Sequence, residues 1–127
     1  MESNLGFVLI EDNLIDQFVI KKLLKKALDI NPLYIANNGK EGLEWLLKNV
    51  KQKPLIILLD IQMPIMNGFE FLEHFTSLEE QIKDKIQIFV LSSTLDLDEI
   101  KKAKENSYVS GFFSKPLKIE TLKNNFT

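Results

Sequence analysis

Short apolar runs alternate with helix-period segments along the whole chain. The runs span residues 5–10, 33–36, 55–59, 86–91 and 108–113. After each run, apolar residues recur at spacings of three and four, which predicts an amphipathic helix. Five strands alternating with five helices predict a doubly wound α/β fold, in which a parallel sheet lies between two layers of helices.

The apolar positions of the helical segments predict which faces are buried. In the first helix the expected buried stripe is Ile15, Phe18, Val19, Leu23 and Ala27, and lysines 21, 22, 25 and 26 occupy the opposite face. In the second helix the stripe is Leu43, Leu46, Leu47 and Val50. In the third helix it is Phe71, Phe75, Leu78 and Ile82. The fourth helix is expected to begin at Asp96 as N-cap, with Glu99 as its capping-box partner. Its anchors are Leu97, Ile100 and Ala103, and a short last helix covers 117–125.

Two of the runs indicate where their strands lie in the sheet. Residues 55–59 are five consecutive apolar residues, which is typical of a strand covered on both faces. Pro32 precedes the second run and favours an edge strand. In sheets of this type the functional site lies beyond the carboxyl ends of the strands.

The residues at those strand ends carry the candidate chemistry. They are Glu11, Asp12, Asp60, Ser92 and Lys115. Neighbouring carboxylates repel one another and raise each other's pKa, so we expect a cation among them, and an all-oxygen site suits Mg²⁺. A carboxylate can attack a phosphoryl group and form an acyl phosphate. The metal and Lys115 would then neutralise the phosphoryl oxygens, and Ser92 would donate to one of them.

The amino-acid composition excludes several kinds of functional site. The 127 residues suit one domain, and the absence of cysteine excludes disulfides, thiolate metal sites and cysteine nucleophiles. His74 is the single histidine, so a multi-histidine metal site is excluded. The net charge of −2 gives no reason to expect nucleic-acid binding. No apolar run approaches the length of a membrane span, so we expect no membrane association and a cytoplasmic protein.

Four segments in this order resemble the receiver domain of two-component response regulators. They are residues 8–13 (VLIEDN), 58–68 (LLDIQMPIMNG), 90–93 (VLSS) and 111–116 (GFFSKP). The resemblance extends from about residue 5 to residue 125. It implies a flavodoxin-like sheet with the strand order 2-1-3-4-5.

The resemblance implies a role for each acidic residue. Asp60 matches the phosphoacceptor, and Asp12 matches the direct ligand of Mg²⁺. Glu11 matches the acid that acts on the metal through water, and the backbone carbonyl of Gln62 completes the metal site.

The remaining positions match the part of the family that responds to phosphorylation. Lys115 matches the lysine that contacts the phosphoryl group, and the bond from it to Pro116 is expected to be cis. Ser92 matches the switch hydroxyl, and Phe112 matches the aromatic residue that changes rotamer with it. Ser93 stands where a smaller residue is common, so it is expected to modulate access to the phosphoryl group.

The function implied is that of a stand-alone receiver spanning residues 1–127, with no output domain. It would accept a phosphoryl group on Asp60 from a histidine kinase or a histidine phosphotransfer protein and signal by contact with an unknown downstream protein. It would not be an enzyme beyond Mg²⁺-dependent phosphorylation and dephosphorylation of itself. The short last helix favours a monomer or a weak homodimer.

Other interpretations of the same residues stay open. The chain could be a binding module on this fold that works without phosphorylation. Asp12 and Asn13 could be only a helix cap, and Asp60 only a turn residue. A haloacid-type hydrolase needs a second acid two residues after its nucleophile, where this chain has Gln62. A flavin carrier needs a phosphate loop after the first strand, where Glu11 and Asp12 would repel a phosphate.

Overall fold

The computed structural model describes residues 6–49 and 54–127, and in them five parallel strands form one sheet. The strands are β1 (Gly6–Ile10), β2 (Tyr34–Ala36), β3 (Leu55–Asp60), β4 (Ile86–Ser92) and β5 (Val109–Ser114). Their order is β2-β1-β3-β4-β5, which confirms the predicted topology and the edge position of β2. Leu5 and Val50, expected in the first strand and the second helix, lie outside the described residues.

Helices cover both faces of the sheet. They are α1 (Leu14–Leu28), α2 (Gly39–Asn49), α3 (Gly68–Thr76), α4 (Glu80–Lys83), α5 (Leu97–Glu105) and α6 (Ile119–Phe126). Alternate residues of β1 belong to opposite layers of the core. Val8 packs in the layer that holds α2 and α3, whereas Phe7 packs in the layer that holds α1 and α6. This two-sided burial explains why the central runs are continuously apolar.

The third predicted helix is wrong in its length. It ends at Thr76, and the extended backbone of Glu79 separates it from the four-residue α4. The described residues therefore contain six helices and not five. Leu78 and Ile82 still pack against the same core layer as Phe75, so the spacing of buried residues continued although the helix had ended.

The predicted buried face of α1 is wrong in its first half. Ile15 and Phe18 are 74% and 60% exposed, and the residues buried on this helix are Ile20 and Leu24. The helix carries apolar side chains on more than one face, so the spacing alone did not decide which face meets the sheet.

The start of α5 agrees with the prediction only in part. Asp96 is the N-cap and accepts hydrogen bonds from the backbone N–H groups of Asp98 and Glu99. The capping box is not formed, because the backbone N–H of Asp96 donates to the hydroxyl of Thr94. Leu97 is exposed and does not anchor the helix, whereas Ala103 is fully buried.

An aromatic cluster attaches α6 to the sheet. The ring of Phe126 lies 5.3 Å from that of Phe7, 4.9 Å from that of Phe89 and 6.3 Å from that of Phe113, measured between centroids. The cluster joins the last helix to β1, β4 and β5. It lies in the same core layer as α1.

Candidate functional site

A pocket of about 400 Å³ lies at the carboxyl ends of the strands. Seven residues predicted from the sequence line it: Glu11, Asp12, Asp60, Gln62, Ser92, Ser93 and Lys115. Three further lining residues were not predicted as site residues, and they are Asn13, Asp16 and Thr94. The topology therefore brings the candidate carboxylates, hydroxyls and ammonium to one place.

The turn from β1 into α1 positions Glu11. Its backbone N–H donates to the carbonyl of Ala36 at 2.9 Å, which continues the pairing with β2. Asn13 then caps α1, because its side chain accepts from the backbone N–H of Asp16 at 2.9 Å. The backbone N–H of Asn13 donates to the Glu11 carboxylate at 3.0 Å, so that this buried side chain is held at the pocket.

Asp60 occupies the last position of β3 and is 7% exposed. The backbone that follows it is packed closely by Gly68, the first residue of α3. A Cβ on Gly68 would lie 2.6 Å from the carbonyl oxygen of Asp60 and 2.9 Å from the Cα of Ile61. The backbone N–H of Gly68 also donates to the carbonyl of Ile61 at 2.7 Å. Glycine therefore lets α3 begin directly against the strand end that carries Asp60.

The loop between β3 and α3 contains a strained residue. Ile65 has a φ of 68°, in the left-handed region that β-branched residues rarely adopt, and its side chain is 76% exposed. The neighbouring backbone is tied down, because the N–H of Met66 donates to the carbonyl of Pro64 and the carbonyl of Met66 accepts from Gly39.

Lys115 connects three carboxylates. Its Nζ lies 2.6 Å from an oxygen of Glu11, 3.0 Å from one of Asp16 and 3.4 Å from one of Asp60. Its backbone N–H donates to the carbonyl of Ser92, which ties the end of β5 to that of β4. The bond from Lys115 to Pro116 is cis, as expected.

The charges shift the pKa values of two central groups. Burial, together with the charge of Glu11, raises the pKa of Asp60 to about 7, although Lys115 opposes the shift. Burial lowers the pKa of Lys115, but its carboxylate partners outweigh burial and raise that pKa above its ordinary value. Lys115 is therefore cationic at neutral pH, whereas burial and the charge of Glu11 disfavour the ionised form of Asp60.

Comparison with known proteins gives the family. The family model for the response regulator receiver domain matches residues 7–127. The chain belongs to this family. A response regulator receiver protein from Dyadobacter fermentans has a similar structure, with a TM-score of 0.84, 33% identity, and coverage of 94% of this chain and 93% of that one.

Curated relatives differ in how much of their length the receiver spans. Sporulation initiation phosphotransferase F of Bacillus subtilis is 28% identical over 111 residues, which are 86% of this chain and 83% of the relative. The protein-glutamate methylesterase/protein-glutamine glutaminase of Desulfotalea psychrophila is 35% identical over 78 residues, or 61% of this chain. That match spans only 21% of the methylesterase.

The acidic cluster of this receiver suits a divalent cation. Glu11, Asp12 and Asp60 each offer one carboxylate oxygen, and these oxygens lie within 4.8 Å of one another. Oxygen ligands with several negative charges are those that Mg²⁺ prefers, and receiver domains bind Mg²⁺ at an acidic pocket. The donor set of this chain therefore fits the ion that the family uses.

The two predicted switch residues lie in different surroundings. Ser92 is buried in the pocket wall, where its hydroxyl oxygen accepts from the backbone N–H of Thr94 at 3.0 Å. Phe112 is half-buried on the side of β5 that faces α5, against Val90 and Ala103. It lines a neighbouring recess together with Pro116 and is not among the residues lining the acidic pocket.

Asp16 is the charged site residue that sequence reasoning missed. It lies in the first turn of α1, three residues after the cap Asn13 and four after Asp12. A helix that begins at a strand end places the side chains of its first turn around the rim of the site. This position was therefore a signal that an acid at residue 16 could reach the pocket.

Proposed function

We propose that this receiver accepts a phosphoryl group on Asp60 from a phosphohistidine of a kinase or phosphotransfer protein. The observation that carries the proposal is a buried carboxylate at a strand end, 3.4 Å from the ammonium of Lys115 and within a cluster of three acids. This combination supplies a nucleophile together with positive charge for the transferred group.

The phosphoryl transfer to Asp60 would be a single displacement at phosphorus. An oxygen of the Asp60 carboxylate forms a bond to phosphorus, and the P–N bond of the phosphohistidine breaks. The electron pair of that bond returns to the imidazole nitrogen, and the product is an acyl phosphate on Asp60. Because the nucleophile is the ionised carboxylate and the pKa of Asp60 is about 7, positive charge at the site favours the reactive form.

The surrounding residues would bind the metal ion and the phosphoryl oxygens. Glu11, Asp12 and Asp60, with the backbone carbonyl of Gln62, would hold Mg²⁺. The ion would supply positive charge for the phosphoryl oxygens. Lys115 would bind one of these oxygens, since its ammonium is already directed at the carboxylates.

Phosphorylation would be transmitted through Ser92 and Phe112. The Ser92 hydroxyl hydrogen would donate to a phosphoryl oxygen, and the end of β4 would move with it. Phe112 would then change its packing between β5 and α5, so that a partner protein could distinguish the two states. Ser93 would modulate access to the phosphoryl group, and its place in the pocket lining supports this, because a larger side chain there would restrict access.

Exposed apolar residues beside the pocket support docking of a protein donor. Leu14, Ile15 and Phe18 lie on the first turns of α1 and are 60% or more exposed. Apolar side chains grouped next to a reactive site are typical of a protein contact surface.

Within residues 6–49 and 54–127, no helix is both long and apolar enough to cross a membrane. We propose that the receiver meets its partners in the cytoplasm.

Amide NMR with beryllofluoride tests the proposal. Beryllofluoride, which mimics a phosphoryl group on aspartate, is added with Mg²⁺ to the ¹⁵N-labelled protein. Signals of Asp60, Ser92 and Phe112 should shift, and acetyl phosphate should add one phosphoryl mass to the chain. Asp60→Asn should abolish both effects, whereas the exposed control Asp84→Asn should retain them. Shifts that persist in Asp60→Asn, or no labelling of the wild type, would contradict the proposal.

A further inference from the structure

The ammonium of Lys115 is shared unequally among its carboxylate partners. Glu11 and Asp16 accept hydrogen bonds from it at 2.6 and 3.0 Å, whereas the nearest oxygen of Asp60 is 3.4 Å away. An ammonium has three N–H donors, and the two shorter contacts use two of them. Lys115 therefore lies closer to the α1 side of the pocket than to the proposed phosphoacceptor.

Of the two closer partners, Asp16 is the one that Lys115 can leave at least cost. Glu11 is 1% exposed and is held through its other oxygen by the backbone N–H of Asn13. The side chain of Asp16 is 39% exposed, so water can solvate its carboxylate when the lysine moves. Asp16 is also outside the group of acids whose oxygens converge for a cation.

We propose that Asp16 is a positioning residue that competes with the phosphoryl group on Asp60 for the ammonium of Lys115. In the resting protein, Asp16 holds the lysine on the α1 side. A phosphoryl group adds negative charge and three acceptor oxygens at Asp60, which draw the ammonium away from Asp16. Because Lys115 must give up its contact with Asp16 to do this, the site binds a phosphoryl group less tightly than it would without Asp16. This inference rests on the proposed role of Asp60.

Asp16→Asn should therefore strengthen binding of the phosphoryl mimic. The affinity for beryllofluoride at saturating Mg²⁺ should rise about two- to fivefold, the range expected for loss of a competing, partly exposed ion pair. Asp16→Glu keeps the charge and should remain near wild type. Asp98→Asn is the matched control, because Asp98 is also an exposed acid in the first turn of a helix, on α5 and away from the pocket lining.

A second measurement separates positioning from a general effect of charge. Removal of any acid near an anion site can raise anion affinity, but an effect that acts through the lysine must disappear with it. In the Lys115→Met background, Asp16→Asn should leave the beryllofluoride affinity unchanged. The NMR signal of the Lys115 ammonium in the free protein should also shift in Asp16→Asn and not in Asp98→Asn, and this readout does not depend on the stability of Lys115→Met.

The outcomes separate this inference from the proposed function. If the wild type binds beryllofluoride through Asp60 but Asp16→Asn has unchanged or weaker affinity, the positioning role is wrong and the proposed function stands. An increase that persists without Lys115 also overturns the role. If neither the wild type nor Asp16→Asn binds beryllofluoride, the proposed function fails and this inference fails with it.

Discussion

Replacement of Asp60 by asparagine should stabilise the protein when no divalent cation is present. The carboxylate is buried next to Glu11, and its pKa in the folded protein is about 7, compared with an ordinary value of 3.8. The folded state therefore resists ionisation of Asp60 more than the unfolded chain does. Asparagine has the same shape without the charge, so it removes this cost.

The magnitude follows from the difference in pKa. The pKa of Asp60 is about three higher in the folded protein than in the unfolded chain, and each pKa unit corresponds to about 1.4 kcal/mol. The ionised carboxylate therefore lowers the free energy of unfolding by at most about 4 kcal/mol. Because the pocket opens to water, which screens the charge, we expect about half of that, about 2 kcal/mol. For a domain of this size the variant should then melt roughly 6–10 °C above the wild type at pH 8.

The pH dependence gives the sign of the effect. Between about pH 4 and pH 7 the folded state binds more protons at Asp60 than the unfolded state, so this residue makes the wild type less stable as the pH rises. The advantage of Asp60→Asn should be small near pH 4, where the unfolded carboxyl is about half ionised, grow up to pH 7 and remain constant above it. Well below pH 4 the side chain is neutral in both states.

Thermal and urea unfolding in the presence of EDTA, followed by circular dichroism at pH 4, 6 and 8, measures this effect. Asp84→Asn, which removes an exposed charge, should follow the wild type at each pH. Added Mg²⁺ should raise the melting temperature of the wild type more than that of Asp60→Asn. Equal stability of Asp60→Asn and wild type at pH 8, or an equal advantage at pH 4 and pH 8, would refute the reasoning.

Three further substitutions, two of them paired with a comparison variant, test the packing around the site and the attachment of the last helix. Gly68→Ala would press a methyl group against the backbone of the Asp60 turn, so urea unfolding should show a loss of about 1–3 kcal/mol and acetyl phosphate labelling should slow. Gly42→Ala would press a methyl group against the buried side chain of Ile10, whose Cδ1 would clash with the added Cβ, so it should also cost about 1–3 kcal/mol, but it should leave acetyl phosphate labelling unchanged. Ile65→Asn should raise the free energy of unfolding by about 1 kcal/mol in the same assay, since asparagine tolerates the left-handed backbone. No increase would contradict the inference that Ile65 is strained. Phe126→Ala should lose about 2 kcal/mol by opening the aromatic cluster, whereas the exposed Phe18→Ala should stay within about 0.5 kcal/mol of wild type.

The sheet was predictable because its signal is local. Five buried runs separated by helical segments leave few topologies at this length, and Pro32 pointed to the edge strand that is observed. The helices were less predictable, because their faces are decided by contacts with distant residues. Phe18 has the spacing of a core residue yet is exposed, since the sheet meets the face of α1 that carries Leu24. Ile82 has core spacing and is packed, but on a separate short helix.

The site was predictable as far as it depends on strand ends. Asp60 and Lys115 each follow or end a strand, so the rule that places sites at the carboxyl ends was enough to bring them together. The contact between Asp16 and Lys115 joins residues 99 positions apart, so the place of Asp16 in the first turn of α1 indicated that it could reach the pocket but not which residue it would contact. The position of Phe112 outside the acidic pocket likewise depends on how β5 is turned between α5 and α6.

The charge balance of the pocket connects the stability prediction with the role proposed for Asp16. Among the described residues that line it, four acids face a single lysine. Removal of either Asp16 or Asp60 reduces this imbalance, but the two changes should differ in function. Asp60→Asn stabilises the fold and removes the nucleophile, whereas Asp16→Asn leaves the nucleophile and releases the lysine to it. If both proposals hold, the excess negative charge is not simply a consequence of cation binding, because one of the four acids serves to restrain Lys115.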